Sequence, residues 1–341
     1  MKSYLNAIEF YVPKTELSNL ILSNSHPEWS VDKISKKTGI NIRHIASDNI
    51  SSSDLAYEAC INLFQKNNID SNSIDFLILC TQSPDYLLPT TACILQDRLG
   101  LSKNIGAFDF NLGCSGYVYG LGIADGLIKS KQAKNIVLVT AETYSKYINQ
   151  RDKSCKTIFG DGASASLITN YKSENDYGYL GNFMYGTDGS GYDKFIINKK
   201  VSNFAKIDKK SIDEIDNDGN FIRNNDNIWM DGKGIFEFTM EKIPRLLERF
   251  LIKNSINIEN IDLFVFHQAN KYMLEMMRRK MNIPPNKYVI CIENFGNTVS
   301  NTIPIALRES FNTELFKNSR NIILCGFGVG LSMSICNIVK N

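Results

Sequence analysis

The sequence predicts an α/β protein built from two copies of one unit. Two observations predict it: strand-like apolar runs alternate with stretches of helical period, and three segments recur in the same order in each half. The runs Phe76 to Cys80, Ile136 to Thr140, Leu263 to Phe266 and Ile322 to Cys325 are short, continuous and apolar, as strands covered on both faces are. Ser53 to Asn67 and Phe236 to Asn254 carry apolar residues at helical spacing and supply that cover.

The recurrence is specific. Ile74-Asp-Phe-Leu-Ile-Leu-Cys80 resembles Ile261-Asp-Leu-Phe-Val-Phe-His267, Asn111-Leu-Gly-Cys-Ser115 resembles Asn294-Phe-Gly-Asn-Thr298, and Asn135-Ile-Val-Leu-Val139 resembles Asn321-Ile-Ile-Leu-Cys325. A nearly constant offset between the members of each pair is the signature of a tandem duplication. We divide the chain into halves at 1–172 and 173–341. Cys80 and His267 then occupy equivalent positions, as do Cys114 and Asn297.

Along the chain, the β-type run before Cys114 ends at Gly113, and Tyr117 to Ile128 has the small, apolar composition of a buried helix. The polar stretch from Lys199 to Asn227 lacks apolar periodicity and has no counterpart of similar length in the first half, so it reads as a surface insertion or long loop. The first 17 residues lack the features of a secretory signal, and no apolar run is long enough to span a bilayer. The 38 basic and 36 acidic residues leave a net charge of +2, with no global field to attract nucleic acid or a membrane. The eight cysteines are single and mostly in apolar segments, which places the protein in a reducing compartment, the cytoplasm. No His, Cys and carboxylate cluster has metal-site spacing, so no metal is expected.

Ligands of α/β sheets gather beyond the carboxyl ends of strands, so two related halves would bring Cys114, His267 and Asn297 to one place. A cysteine beside a helix N-terminus faces unpaired N–H groups, which favour thiolate. The plain alternative is a buried structural thiol. His267 follows an apolar strand; an isolated histidine is more often a satisfied structural residue, but one opposite a cysteine turn suits catalysis. Asn297 could simply cap a turn; as the counterpart of Cys114, its amide could donate to a thioester carbonyl. The segment Cys325-Gly-Phe-Gly-Val-Gly330 matches no nucleotide-binding fingerprint and reads as a tight turn aiming N–H groups, particularly at Val329, toward an oxyanion beside Cys114.

Asn111-Leu-Gly-Cys-Ser-Gly116, His267-Gln-Ala-Asn270 and Phe295-Gly-Asn-Thr298 resemble motifs of the β-ketoacyl-acyl-carrier-protein synthase III family of thiolase-like condensing enzymes. So do Lys37-Thr-Gly-Ile40 with Arg43-His44, Phe159-Gly-Asp-Gly-Ala163, Met230-Asp-Gly232 and Gly326-Phe-Gly328. The resemblance spans nearly the whole chain. It implies a five-layered αβαβα thiolase-like fold, a homodimer, and decarboxylative condensation of an acyl thioester primer with malonyl-acyl-carrier protein. In that scheme Cys114 carries the acyl group, His267 and Asn297 promote malonyl decarboxylation, and the N–H groups of Cys114 and Val329 form the oxyanion hole.

The resemblance further implies a primer pocket with Phe327, Gly328 and the partner subunit's copy of Leu88, and carrier-protein docking by Lys271, Arg278, Arg279 and Lys280, which could otherwise be a solvated helix face. Where relatives hold a thioester carrier with arginine and tryptophan, this chain has Lys37 and Lys153, and Trp29 lies several residues early. Coenzyme A and carrier protein therefore both stay open as primer donor, with no cofactor beyond these phosphopantetheine-linked substrates. An acyltransferase acting on a hydroxyl or amine, and a non-catalytic carrier-binding protein, are the competing readings.

Overall fold

The computed structural model describes residues 1–174, 176–199 and 211–340. Its central feature is a sheet whose nine strands run, in spatial order, Leu263–Phe266, Asn321–Gly328, Ser332–Val339, Gly178–Thr187, Tyr4–Tyr11, Gly162–Thr169, Asn135–Glu142, Phe76–Cys80 and Gly106–Phe110. The order is two-fold. Outward from the centre, Tyr4–Tyr11 and Gly178–Thr187 are counterparts, and the strands beyond each follow the same sequence of antiparallel and parallel pairings. The partner of Gly106–Phe110 is the segment at Tyr288, which bridges Phe264 in parallel. Among the described residues the two half-sheets pair where Tyr4 and Leu5 meet Tyr179 and Gly178. All three recurring segments thus fall at equivalent places, as a duplicated unit requires.

Alternation along the strands separates three apolar layers. Ile78, Ile136 and Leu138 of one half and Leu263, Val265, Ile322 and Leu324 of the other point to a common core filled by the helices Gly116–Lys129 and Thr302–Ser310. Their neighbours Leu77, Leu79, Val137 and Val139 face the helices Ser52–Lys66 and Thr91–Arg98. Phe264, Phe266, Ile323 and Cys325 face Gly232–Lys253 and Lys271–Lys280. Helices, half-sheet, helices, half-sheet, helices: this is the five-layered architecture. Both faces of each half-sheet are covered, which explains why the strands read as unbroken apolar runs.

Local signals set the boundaries. Ser51 and Asp54 close a capping box at the start of the helix from Ser52, and Asp231 accepts from the Gly234 N–H to begin the helix from Gly232, earlier than its apolar period suggested. The strand before Cys114 ends at Phe110, three residues short of the expected Gly113, because the chain there turns toward the helix. Of the polar stretch 199–227, residues 200–210 lie outside the described residues. The rest includes the paired ribbon Glu214–Ile215 with Phe221–Arg223, and the flanking segments Phe195–Ile197 and Ile228–Met230 pair with each other. Among the described residues no helix is long and apolar enough to cross a membrane, and no group of three or more His, Cys, Asp or Glu could hold a metal ion.

Candidate active site

Cys114 sits in the turn between the strand ending at Phe110 and the helix starting at Gly116, and only 4% of it is exposed. The strand Asn321–Gly328 runs directly beneath it. A Cβ on Gly328 would lie 2.9 Å from Cys114 Cβ and 3.0 Å from its Sγ, so only glycine lets this strand approach so closely. Burial pushes the thiol up to about 12, with a smaller push from Glu142, while the N–H groups of Cys114 itself and of Val329 pull it down. The two predicted oxyanion donors therefore do face the sulfur. Burial thus works against the thiolate that the helix terminus favours.

His267 directly follows its strand, its N–H bonded to the Cys325 carbonyl at 2.8 Å. The imidazole is buried and edge-on to Phe327, with ring centroids 5.4 Å apart. Burial lowers it to about 3, against an opposing hydrogen bond that the ring donates to the Val299 carbonyl, so it is neutral at ordinary pH. Its Nδ1 lies 2.7 Å from Thr302 Oγ1, and that hydroxyl donates to the Val299 carbonyl at 3.1 Å. With the hydroxyl proton so committed, Nδ1 carries the imidazole proton and Nε2 presents a lone pair. Turning the hydroxyl toward Nδ1 would move the ring proton to Nε2.

Asn297 is clamped along its backbone. Its N–H donates to Ile158 O at 2.9 Å and its carbonyl accepts from Gly160 N–H at 3.1 Å. Gly296, at φ +68°, makes the preceding turn, and the buried Arg43 packs against it while donating to the Thr157 carbonyl and Asn19. Asn297 Oδ1 accepts from Val299 N–H at 2.9 Å, which orients the amide and leaves Nδ2 only a long 3.5 Å contact to Ala269 O. Val299 holds φ +58°, a conformation that costs a β-branched residue ~1–3 kcal/mol. Val299 thus joins the constellation: its N–H fixes Asn297, its carbonyl faces Thr302 and His267, and its side chain packs in the apolar cluster around Cys114.

That cluster also holds Tyr144, Phe159, Phe195 and Ile228, which the sequence reading did not single out as pocket residues. Below them lies Glu142, wholly buried, accepting from Gln82 N–H at 3.1 Å, Ser83 Oγ at 3.0 Å and Ser300 Oγ at 3.2 Å. Burial raises its carboxyl to about 8 despite these donors. Tyr144 donates its hydroxyl to Gln82 Oε1, and Gln82 in turn donates to Asn111 Oδ1 at 2.9 Å. The paired strands at Asn135 and Asn321 put Glu142 opposite Gly328 in the duplication, an equivalence legible in the recurring segments.

The expected peripheral residues divide. Gly328 touches Cys114 and Phe327 touches His267, whereas Leu88 is 87% exposed and lies outside the Cys114 cluster of its own chain. Lys37 is exposed near the end of the helix Val31–Thr38. Lys153 Nζ sits 5.8 Å over the Trp29 ring, and Trp29 is itself buried and stacked on His26 at 3.9 Å, leaving no open aromatic face for a ligand. On the helix Lys271–Lys280, Lys271, Arg279 and Lys280 are exposed. Arg278 departs from expectation, because it is turned inward to Glu275 at 2.8 Å and to the Ile283 carbonyl at 2.8 Å.

Residues 108–189 match the family described as 3-oxoacyl-[acyl-carrier-protein] synthase III, and residues 251–339 match that family's C-terminal part. Beta-ketoacyl-[acyl-carrier-protein] synthase III of Clostridium perfringens is 37% identical over 322 residues, covering 94% of both chains. A crystal structure of a 3-oxoacyl-(acyl-carrier-protein) synthase III superposes with a TM-score of 0.94 at 41% identity, covering 100% of both chains. A 3-oxoacyl-(acyl-carrier protein) synthase from Burkholderia xenovorans LB400 gives 0.87 at 28% identity, over 100% of this chain and 95% of the other.

Proposed function

The chain belongs to the 3-oxoacyl-[acyl-carrier-protein] synthase III family, and from that premise we propose that it condenses an acyl thioester primer with malonyl-acyl-carrier protein through an acyl-Cys114 intermediate. The primer's acyl carbon forms a bond to Cys114 Sγ, the thiol proton leaves with the released carrier thiol, and the tetrahedral oxyanion takes hydrogen bonds from Cys114 and Val329 N–H. Malonyl-carrier protein then loses carbon dioxide. Its enolate oxygen takes hydrogen bonds from Asn297 Nδ2 and from His267 Nε2–H, the tautomer formed when the Thr302 hydroxyl turns toward Nδ1, and the carbanion attacks the acyl-Cys114 carbonyl. Collapse expels the Cys114 sulfur, which regains one proton, and releases 3-oxoacyl-carrier protein.

The observation that carries this reading is the meeting of all three side chains on Val299. An amide nitrogen with no close partner and a neutral imidazole surround a thiol that already faces two N–H donors. The exposed Lys271, Arg279 and Lys280 fit docking of an acidic carrier, and Lys37 and Lys153 the phosphates of a phosphopantetheine thioester. The exposed apolar run Tyr86, Leu87 and Leu88 supports a homodimer in which that loop reaches the partner, and eight free cysteines support a cytoplasmic setting.

The test is incubation with acyl thioesters and malonyl-carrier protein. Carbon dioxide release with a 3-oxo product, and an acyl adduct on Cys114 absent from Cys114→Ala, are expected. Thioester consumption without carbon dioxide would instead favour transfer to a hydroxyl or amine, and no adduct at all a carrier-binding protein.

A further inference from the structure

A cavity of about 570 Å³ lies at the end of the sheet remote from Cys114. Asn321 lines it, and Asn321 begins the eight-residue strand whose last residue, Gly328, meets Cys114. A strand of that length spans roughly 25 Å, which separates the cavity from the thioester site. No step of the condensation uses it.

The duplication provides a comparison. Each half carries a β-bulge where its first strand meets the next: Tyr4–Tyr11 shifts register against Gly162–Thr169 between Leu5 and Ala7, and Gly178–Thr187 shifts against Ser332–Val339 between Cys336 and Ile338. In the first half the bulge is filled. Asn6, 5% exposed, donates to Thr169 Oγ1 at 2.7 Å and to the Tyr171 carbonyl at 3.1 Å, and accepts from Ser173 N–H at 3.2 Å. In the second half Asn337, 6% exposed, spans the bulge, and its Oδ1 accepts from Asn182 N–H at 2.8 Å. A Cβ on Gly181 would lie 2.5 to 2.9 Å from this amide, so glycine makes room for it. Asn337 Nδ2 has no acceptor among the described residues, and Asn337 lines the cavity. The same kind of bulge is thus closed in one half, while in the other it aims an amide donor at an open space.

The rest of the lining is donor-rich as well. Asn257 uses its oxygen to accept from Glu259 N–H at 3.0 Å, which leaves its Nδ2 without an acceptor among the described residues. Lys2 and Lys129 also stand on the lining, and no carboxylate does. Lys129 bonds Asp125 at 2.8 Å, and Lys2 lies 3.7 Å over the Tyr179 ring. Two ammonium groups and two amide nitrogens match a guest with negative charge and several acceptor oxygens. Phosphate supplies both, and lysine binds it as a point charge, whereas the arginine fork that suits a carboxylate is missing from the lining. The volume exceeds what one phosphate fills and lies in the range of small-ligand pockets.

We infer that this cavity binds a small phosphate ester, its phosphate held by Lys2 and Lys129 and its polar body by the amides of Asn337 and Asn257. The site is independent of the condensation and stands if that reading fails.

The experiment is calorimetric titration of the full chain with inorganic phosphate, glycerol 3-phosphate and AMP, with glycerol and adenosine as uncharged controls. At least one ester should bind, more tightly than inorganic phosphate, and neither uncharged control should bind. Lys129→Gln, Lys2→Gln and Asn337→Leu should each weaken the ester by ~10-fold, the scale of one hydrogen bond to a charged group. Prior acetylation of Cys114, and Lys37→Gln combined with Lys153→Gln, should leave ester affinity unchanged. Binding lost on acetylation or in that double variant would move the ester to the thioester entrance and overturn the inference. So would affinity unchanged in both lysine variants, uncharged controls that bind as tightly, or no binding by either ester. Asn337→Leu withdraws the acceptor of Asn182 N–H, so the two exposed lysines carry the test if that variant does not fold.

Discussion

Replacing Thr302 by valine removes one hydroxyl and keeps the shape of the side chain. The hydroxyl is the partner of His267 Nδ1, at 2.7 Å in a site where His267 is 2% and Thr302 3% exposed, so no water stands ready to replace it. An imidazole Nδ1 left unpaired in such a place costs ~1–3 kcal/mol, which raises a barrier by ~5- to 150-fold if the cost falls on the step His267 serves. That step is decarboxylation of the malonyl arm, not acylation of Cys114. Carbon dioxide release from malonyl-carrier protein and the rate of acyl-Cys114 formation, followed by intact mass, separate the two. Thr302→Val should slow the first by that factor and leave the second nearly unchanged. Thr302→Ser, which restores the hydroxyl, should recover most of the loss, and the ¹⁵N shifts of His267 should report a changed tautomer in the valine variant alone. Equal slowing of both steps, or a serine variant as impaired as the valine one, would refute the reasoning.

Gly328→Ala places a methyl 2.9 to 3.0 Å from Cys114 Cβ and Sγ, and overpacking of this size costs ~1–3 kcal/mol. It should lower melting temperature and slow Cys114 acylation, measured by calorimetry and intact mass. Glu142→Gln removes a negative charge that holds the thiol up, so the pH profile of Cys114 alkylation should move to lower pH. Two opposed limbs of stability follow from the buried groups. His267 binds its proton at about 3 folded but at 6.5 unfolded, so its contribution is present above 6.5 and is lost as pH falls toward 3. Glu142 keeps its proton to about 8 folded but only to 4.5 unfolded, so its contribution is present below 4.5 and is lost as pH rises toward 8. Melting temperature against pH should flatten on the acid side in His267→Gln and on the alkaline side in Glu142→Gln.

The strand ends were legible in the sequence because the duplication marks them twice. Cys114 and His267 stood out as departures, at recurring positions, from Asn297 and Cys80. What was not legible depends on distance in space. Thr302 is one of several threonines beside polar residues, and nothing local says that its hydroxyl meets an imidazole 35 residues earlier. Val299 acts through its backbone conformation, for which a valine gives no warning. The opposition to the thiolate was not legible, because a helix terminus is a local feature, while burial and Glu142 are products of the whole fold. Arg278 is different: Glu275 stands three residues before it, at helical pairing distance, and that signal could have removed it from the docking face.

The duplication also explains why one fold holds a single reactive centre here. In one half the strand ending beside the nucleophile turn finishes at Gly328, which leaves room for Cys114. In the other half its counterpart finishes at Glu142, whose carboxylate fills the equivalent space and binds Gln82 and Ser83 from its own half and Ser300 from the other. Cys80 stands where His267 stands, but its thiol donates to the Leu112 carbonyl at 2.9 Å and props the turn that presents Cys114. Equivalent positions thus divide into one set that reacts and one set that holds the halves in register. Glu142 links Gln82, beside Cys114, to Ser300, one residue beyond the Val299 contact with Asn297. Replacing it should therefore loosen both halves of the site together, and a double substitution with Ser300→Ala should cost less than the sum of the two.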